Sequence, residues 1–324
     1  PHGLVAGMTG SGKSELIITY ILSMAINYSP NEVSFILIDY KGGGLAGAFE
    51  NKETGMKLPH LAGTITNLDT VEMNRSLASI QSELRRRQKI FNEARDSLNE
   101  STIDIYKYQT LYKEGLVQEP VPHLLIISDE FAELKDQQPD FMDELISTAR
   151  IGRSLGVHLI LATQKPAGVV NDQIWSNSKF RICLKVQDRS DSMDMIKCAD
   201  AASIKETGRF YLQVGYNELF ALGQSAWTGA KYFPMEKRKK KIDERLDFID
   251  NVGNIIKSVD SANRQIVVES KGEEITNIVK YIVSTAKNQN ISVRQLWLDK
   301  IPEYIYVEKL REKYNYITEE GNIN

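Results

Sequence analysis

Cysteine is nearly absent. Cys183 and Cys198 are the two in 324 residues, and they form no CxxC pair, which excludes a disulfide scaffold and points to a reducing compartment. Long hydrophobic runs are missing too. The longest, Leu16 to Ile26, is interrupted by Thr19, Tyr20 and Ser23 and falls short of the roughly 18 residues a spanning helix needs. Neither sign of charge dominates: 40 Lys and Arg stand against 43 Asp and Glu, a net charge of −3. That balance argues against a whole-surface nucleic-acid binder, though it leaves room for a local basic stripe. Histidine is scarce, and His2, His60, His123 and His158 lie scattered without ligand spacing, so no zinc site is expected. The chain has no internal repeat and no low-complexity tract, and it opens on Pro1, which reads as a cut from something longer. What is present, 42% apolar and 26% charged residues, suffices for a buried core in two domains or in one large domain with an appendage.

Residues 1–235 read as one α/β unit, in which short β-branched runs alternate with longer helical stretches, as in parallel strands joined by crossover helices. The strands are expected at Gly3–Ala6, Val33–Asp39, Ala62–Thr66, Leu124–Ser128, Leu159–Thr163 and Arg181–Val186, with an antiparallel edge hairpin of Arg209–Val214 and Glu218–Leu222 around Gly215-Tyr216-Asn217. Leu124-Leu125-Ile126-Ile127 is apolar throughout, as a central strand covered on both faces must be. From Thr70 to Arg95, Leu77, Ile80, Leu84 and Phe91 form one stripe at helical spacing, with Asp69 and Glu72 as a capping pair at the start. Residues 96–120 are polar and read as an insertion with a short helix. Residues 236–264 read as a basic, helical linker, with Lys237–Lys241 as a solvated run and Ile242–Val259 as helix. Residues 265–324 read as a small α/β piece without a phosphate loop.

One motif decides the class. Gly7-Met8-Thr9-Gly10-Ser11-Gly12-Lys13-Ser14 matches GxxxxGK[ST], and it lies between an apolar strand and an amphipathic run of Leu16, Ile17, Tyr20, Ile21 and Met24. The glycines let backbone N–H groups face phosphate oxygens, and the following helix adds its positive end. Gly7 through Glu15 are thus expected to cradle ATP, with Lys13 on the β- and γ-phosphates and Ser14 on Mg²⁺. The strand ending Ser128-Asp129-Glu130 presents two carboxylates at its carboxyl edge: Asp129 for the shell of Mg²⁺, and Glu130 to polarise the attacking water. The next strand ends at Thr163-Gln164, where Gln164 could meet the γ-phosphate or the water, the plainer reading being a Gln that opens a loop. Phosphoryl transfer also needs positive charge opposite Lys13, and Arg75, Arg85, Arg86, Arg87, Arg150 and Arg153 are the candidates, each as readily a solvated surface residue.

These residues resemble the FtsK/SpoIIIE family of hexameric RecA-like motor ATPases and, within it, the type VII secretion ATPases. The narrower likeness rests on Leu37-Ile38-Asp39-Tyr40-Lys41-Gly42-Gly43-Gly44, on Leu58 to Leu68, on Ser82-Glu83-Leu84-Arg85-Arg86-Arg87-Gln88, on Ala149 to His158 running into Thr163-Gln164, and on Gln224 to Ala230. It extends loosely to Leu296-Trp297-Leu298-Asp299-Lys300-Ile301-Pro302, which is similar to the stretch that opens a following module. The resemblance implies a RecA-like fold with a mostly parallel central sheet flanked by helices, here as the middle one of three ATPase modules in a membrane-anchored protein, with this part in the cytoplasm. It also implies ATP hydrolysis between adjacent modules of a homo-hexamer, export of WXG100-type proteins together with other secretion components, and Arg75 as the arginine finger. All four of Lys13, Ser14, Asp129 and Glu130 are present, so the site reads as competent. A double-stranded DNA translocase of the same fold, and a regulatory module that holds ATP without turnover, are the alternatives. Trp175, Trp227 and Trp297 read as caps on the core or, by the family likeness, as parts of a peptide pocket.

Overall fold

The computed structural model describes residues 2–39, 44–51, 54–66, 70–166, 170, 172–215, 218–233, 245–260, 270–297 and 306–308. The chain opens with strand β1 (His2–Ala6), helix α1 (Lys13–Asn27) and β2 (Val33–Asp39). A short helix α2 (Gly44–Gly47) and a small hairpin of β3 (Glu50–Asn51) and β4 (Met56–Lys57) lead into β5 (Leu61–Ile65). Two helices follow, α3 (Thr70–Leu98) and α4 (Ile105–Lys113), and then β6 (His123–Asp129). Helices α5 (Phe131–Gln137) and α6 (Pro139–Gly152) connect to β7 (Val157–Thr163), and α7 (Asp172–Asn177) to β8 (Ser178–Cys183). After α8 (Arg189–Ile196) come β9 (Arg209–Val214) and β10 (Leu219–Gln224), then β11 (Arg245–Ile249), β12 (Ile255–Asp260) and α9 (Glu274–Gln289).

Eight strands form one sheet in the order β10-β9-β8-β1-β7-β6-β2-β5. From β8 to β5 all pairings are parallel, while β9 runs antiparallel to β8 and β10 antiparallel to β9, an edge hairpin as the sequence suggests. The inner strands bury both faces because helices cover both, which is why Val33–Asp39 is buried at every position. Alternation along each strand divides the core in two. Leu4, Ile36, Ile126 and Leu161 face a layer built from α3, α5 and α6. Val5, Phe35, Leu37, Leu125 and Ile127 face α1 and α9 instead. The predicted stripe of α3 is buried as expected, extended by Met73 and Ala94. In the polar insertion, Asp104 caps α4 by accepting from Lys107 N at 2.9 Å.

Two expectations need correction. The strand predicted at Arg181–Val186 lies three residues earlier, at Ser178–Cys183; Leu184 and Val186 are buried beyond its end, so apolarity alone misplaced it. The stretch Ile242–Val259 is not helical where it is described. It forms the antiparallel ribbon of β11 and β12, because Asp250 Oδ1 accepts from Val252 N and Asn254 N and closes a turn in mid-segment. Beyond 265 the described residues include α9. That helix buries Ile275 and Val279 beside α1, and the chain after it lies along the sheet edge, with Val293 N donating to Pro59 O and Leu296 N to Ala62 O. There Trp297 covers Gly63, where a Cβ would lie 2.3 Å from the indole. Asp69, Tyr40–Gly43, Asn67-Leu68, Tyr216-Asn217, Lys237–Lys241 and Leu298–Pro302, all invoked above, lie outside the described residues.

Candidate active site

The phosphate loop leaves the centre of the sheet at the end of β1, a strand flanked by two later ones, β7 and β8. Its base is tied to both neighbours: Gly7 N donates to Thr163 O at 3.1 Å, and Met8 N to Lys185 O at 2.8 Å. Gly12 turns the loop into the helix at φ +92°, in the left-handed region, and a Cβ there would meet Gly208 N at 2.8 Å. Leu16 N donates to Gly12 O, so the amides of Lys13, Ser14 and Glu15 precede the first intrahelical bond and remain available to an anion. Ser11 is buried beneath the loop against Gly7, and its backbone braces the loop from within: Ser11 N donates to Met8 O at 3.0 Å and Ser11 O accepts from Gly208 N at 2.8 Å.

The acidic strand is not the loop's immediate neighbour, since β7 runs between β1 and β6. The long side chain of Lys13 spans that gap. Its ammonium pairs with Asp129 Oδ1 and lies 3.7 Å from Glu130 Oε2, while only 7% exposed. Ser14 Oγ donates to Asp129 Oδ2 at 3.4 Å, so the two residues expected at a cation stand side by side. Both offer the hard oxygen donors that Mg²⁺ takes, which makes this donor set fit that ion. Glu130 adopts φ +59° and ψ +53°, a left-handed conformation costing about 1–2 kcal/mol in a residue with a Cβ, at the junction of β6 with α5.

The intervening strand joins the two halves. Gln164 N and Thr163 Oγ1 each donate to Glu130 Oε1 at 3.1 Å, and Thr9 Oγ1 of the phosphate loop donates to Gln164 Oε1 at 2.9 Å. The Gln164 side chain thus meets the phosphate loop, while its backbone amide serves Glu130. Thr163 and Gly208 are functional neighbours that the sequence reasoning passed over. The first was signalled by a polar residue ending an apolar strand; the second is visible only once β9 folds against the loop. A third carboxylate, Asp39, aligns with Asp129 across β2 and β6, but its Oδ2 accepts from Leu45 N at 2.6 Å and Ala46 N at 3.1 Å, so it holds the turn into α2.

A family model described as FtsK/SpoIIIE family matches residues 1–168, just over half of the chain. The chain belongs to the FtsK/SpoIIIE family. This FtsK/SpoIIIE chain is 52% identical over 316 residues to the type VII secretion system protein EssC of Staphylococcus aureus (strain NCTC 8325 / PS 47), covering 96% of this chain and 20% of that protein. It is 50% identical over 305 residues to the ESX secretion system protein EccC of Geobacillus thermodenitrificans (strain NG80-2), covering 93% and 20%. Among solved structures, the cytoplasmic domain of the Thermomonospora curvata type VII secretion ATPase EccC matches at TM-score 0.69 and 26% identity, over 93% of this chain and 30% of that one. The chain thus spans about a fifth of the length of the curated relatives it matches. Its mostly parallel sheet flanked by helices is the RecA-like P-loop fold of that family.

The candidate arginines of this FtsK/SpoIIIE module fall into two groups. Arg86 and Arg87 serve the fold: Arg86 pairs with Glu83 and Glu119, and Arg87, 2% exposed, pairs with Glu83 and donates to Leu155 O. Burial pushes the Glu83 carboxyl up, but the hydrogen bonds and charges of Arg86 and Arg87 outweigh it and hold Glu83 below its ordinary value. Arg75, Arg85, Arg150 and Arg153 are exposed. The three tryptophans are held in different settings. Trp175 stacks under Arg181 and Lys197, Trp297 covers Gly63, and Trp227 is 64% exposed. Two histidines expected to be scattered in fact meet, His123 Nδ1 lying 2.9 Å from His158 Nε2, because β6 and β7 are neighbours. No group of three metal-ligating side chains occurs among the described residues.

Proposed function

We propose that this module hydrolyses ATP to ADP and phosphate at the carboxyl edge of its sheet, with Glu130 as general base and Lys13 on the phosphates. The observation that carries the reading is the convergence of the buried Lys13 and Glu130 with the half-buried Asp129, beside helix amides left open for an anion. When ATP binds, its phosphates take over the ammonium of Lys13, which releases the carboxylates from that ion pair. Water then attacks the γ-phosphorus while giving its proton to Glu130, and the electron pair of the breaking P–O bond goes to the β-phosphate. Ser14 and Asp129 would hold Mg²⁺, which when bound offsets phosphate charge. Gln164 orients the γ-phosphate or the water, and Arg75 of an adjacent module supplies the remaining positive charge.

In the longer protein, this hydrolysis would drive export of WXG100-type proteins by a hexameric, membrane-anchored type VII secretion motor whose ATPase modules lie in the cytoplasm. The identity to EssC and EccC relatives supports that reading over a DNA translocase. No helix among the described residues is long and apolar enough to cross a membrane, so the anchor would come from elsewhere in the longer protein. A module that needs an arginine from its neighbour should bind ATP well and turn over slowly, since such a finger is worth roughly 10³–10⁵ in rate. The test is ATP affinity and turnover of the chain with and without duplex DNA. Glu130→Gln should bind ATP and hydrolyse none, and Lys13→Ala should lose binding. Turnover that rises sharply with DNA would move the module to the translocase branch, and absence of nucleotide binding would overturn the reading altogether.

A further inference from the structure

Thr163 ends β7 with its side chain 2% exposed, and its hydroxyl has more acceptors in reach than it has protons. Oγ1 lies 3.1 Å from Glu130 Oε1 and 3.3 Å from Lys165 O, and it accepts from Lys165 N at 3.2 Å. A hydroxyl carries one hydrogen, so it serves the carboxylate or the Lys165 carbonyl, not both. The carboxylate is the stronger of the two acceptors, because charge-assisted hydrogen bonds are roughly twice as strong as neutral ones. The same Oε1 also accepts from Gln164 N at 3.1 Å, so two donors from one strand end orient a carboxylate whose backbone is already left-handed.

We propose that Thr163 is a positioning residue for hydrolysis: its hydroxyl, with the amide of Gln164, holds Oε1 of Glu130 and so leaves Oε2 toward the reacting water. The proposal rests on the reading of Glu130 as the base. It assigns Thr163 no contact with nucleotide. The phosphate loop enters through Thr9, whose bond to Gln164 ties the same strand end to that loop.

The experiment compares the chain with its Thr163→Val, Thr163→Ser and Glu130→Gln variants, measuring kcat and KM for ATP, affinity for a fluorescent ATP analogue, and melting temperature. Val keeps the shape and removes the hydroxyl, and Ser restores it. The expected result is a kcat at least about tenfold lower for Thr163→Val, as misorientation of a catalytic group commonly costs, with KM and affinity within about twofold. Thr163→Ser should recover most of that rate. Wild-type kcat in Thr163→Val overturns the proposal while leaving Glu130 as base. So does a Val variant whose affinity and melting temperature fall along with its rate and are not rescued by Ser, since that marks a merely structural role. Glu130→Gln turning over at the wild-type rate, or a wild-type chain with no turnover, overturns the reading of the base and this proposal with it.

Discussion

At the scale of single residues, the site depends on atoms that tolerate little added bulk. Gly12 is the sharpest case, with φ +92° and Gly208 N where a Cβ would come within 2.8 Å. Gly12→Ala should therefore displace the loop from β9 as well as strain its own backbone. The expected loss is about 1–3 kcal/mol of stability together with most of the affinity for ATP. Urea denaturation and a binding titration check both, and a variant with wild-type stability and affinity would contradict the geometry. The glycines were plain in the sequence as a spacing; that one of them is pressed on by Gly208, almost two hundred positions away, was not. Burial pushes the Cys183 thiol up to about 12 and so keeps it protonated.

At the scale of elements, α3 shows how far periodicity reaches. Its apolar stripe was readable, and the structure buries it. The same face also buries Glu83 and Arg87, which a stripe of Leu, Ile and Phe does not announce. Arg87 donates to Leu155 O at 2.9 Å and so joins α3 to the turn before β7. Removing it leaves Glu83 still paired with Arg86 but strips the Leu155 carbonyl of its donor and opens a buried space. Arg87→Ala should cost about 3–5 kcal/mol, measured by urea denaturation, with Arg87→Lys recovering only part. If Arg87→Ala melts like the wild type, the ion pair contributes nothing. The ribbon of β11 and β12 makes the opposite point. Leu246, Phe248, Ile255 and Val259 look compatible with a helix until the Asp250 turn interrupts them, and local turn chemistry then decides.

At the scale of the whole molecule, strand order gathers charge-sensitive groups that the sequence disperses. His2, His123 and His158 come from β1, β6 and β7, and His2 Nδ1 accepts from Leu159 N at 2.9 Å. Burial, with nearby positive charge, holds all three below the ordinary value of 6.5: His2 and His123 at about 4, His158 at about 3. The unfolded chain takes up these protons near pH 6.5, whereas the folded chain resists them. Their contribution to stability is thus complete above about pH 6.5 and is lost as pH falls toward 4 and then 3. Each imidazole can contribute a slope of up to about 1.4 kcal/mol per pH unit in that window. The melting temperature should drop between pH 6.5 and 4, and the double variant His123→Gln, His158→Gln should show a shallower fall. An unchanged slope in that variant would mean the carboxylates alone carry the pH response.

Short-range chemistry determined the rest of what could be read without coordinates. The phosphate-loop spacing, the paired acids after an all-apolar strand, and the helical stripe each lie within a few turns of chain, where backbone geometry makes spacing equivalent to position. Tertiary structure alone decided that β7 lies between β1 and β6, because parallel neighbours are chosen by crossover connections and buried faces rather than by proximity in sequence. That choice puts Gln164 and Thr163 between the phosphate loop and Glu130 and brings His123 to His158, while the chain after α9, packed on the edge strand β5, lays Trp297 on Gly63. Hydrogen bonds between residues this far apart form only once packing has fixed the strands, so residue types show which partners are chemically suited but not which ones meet.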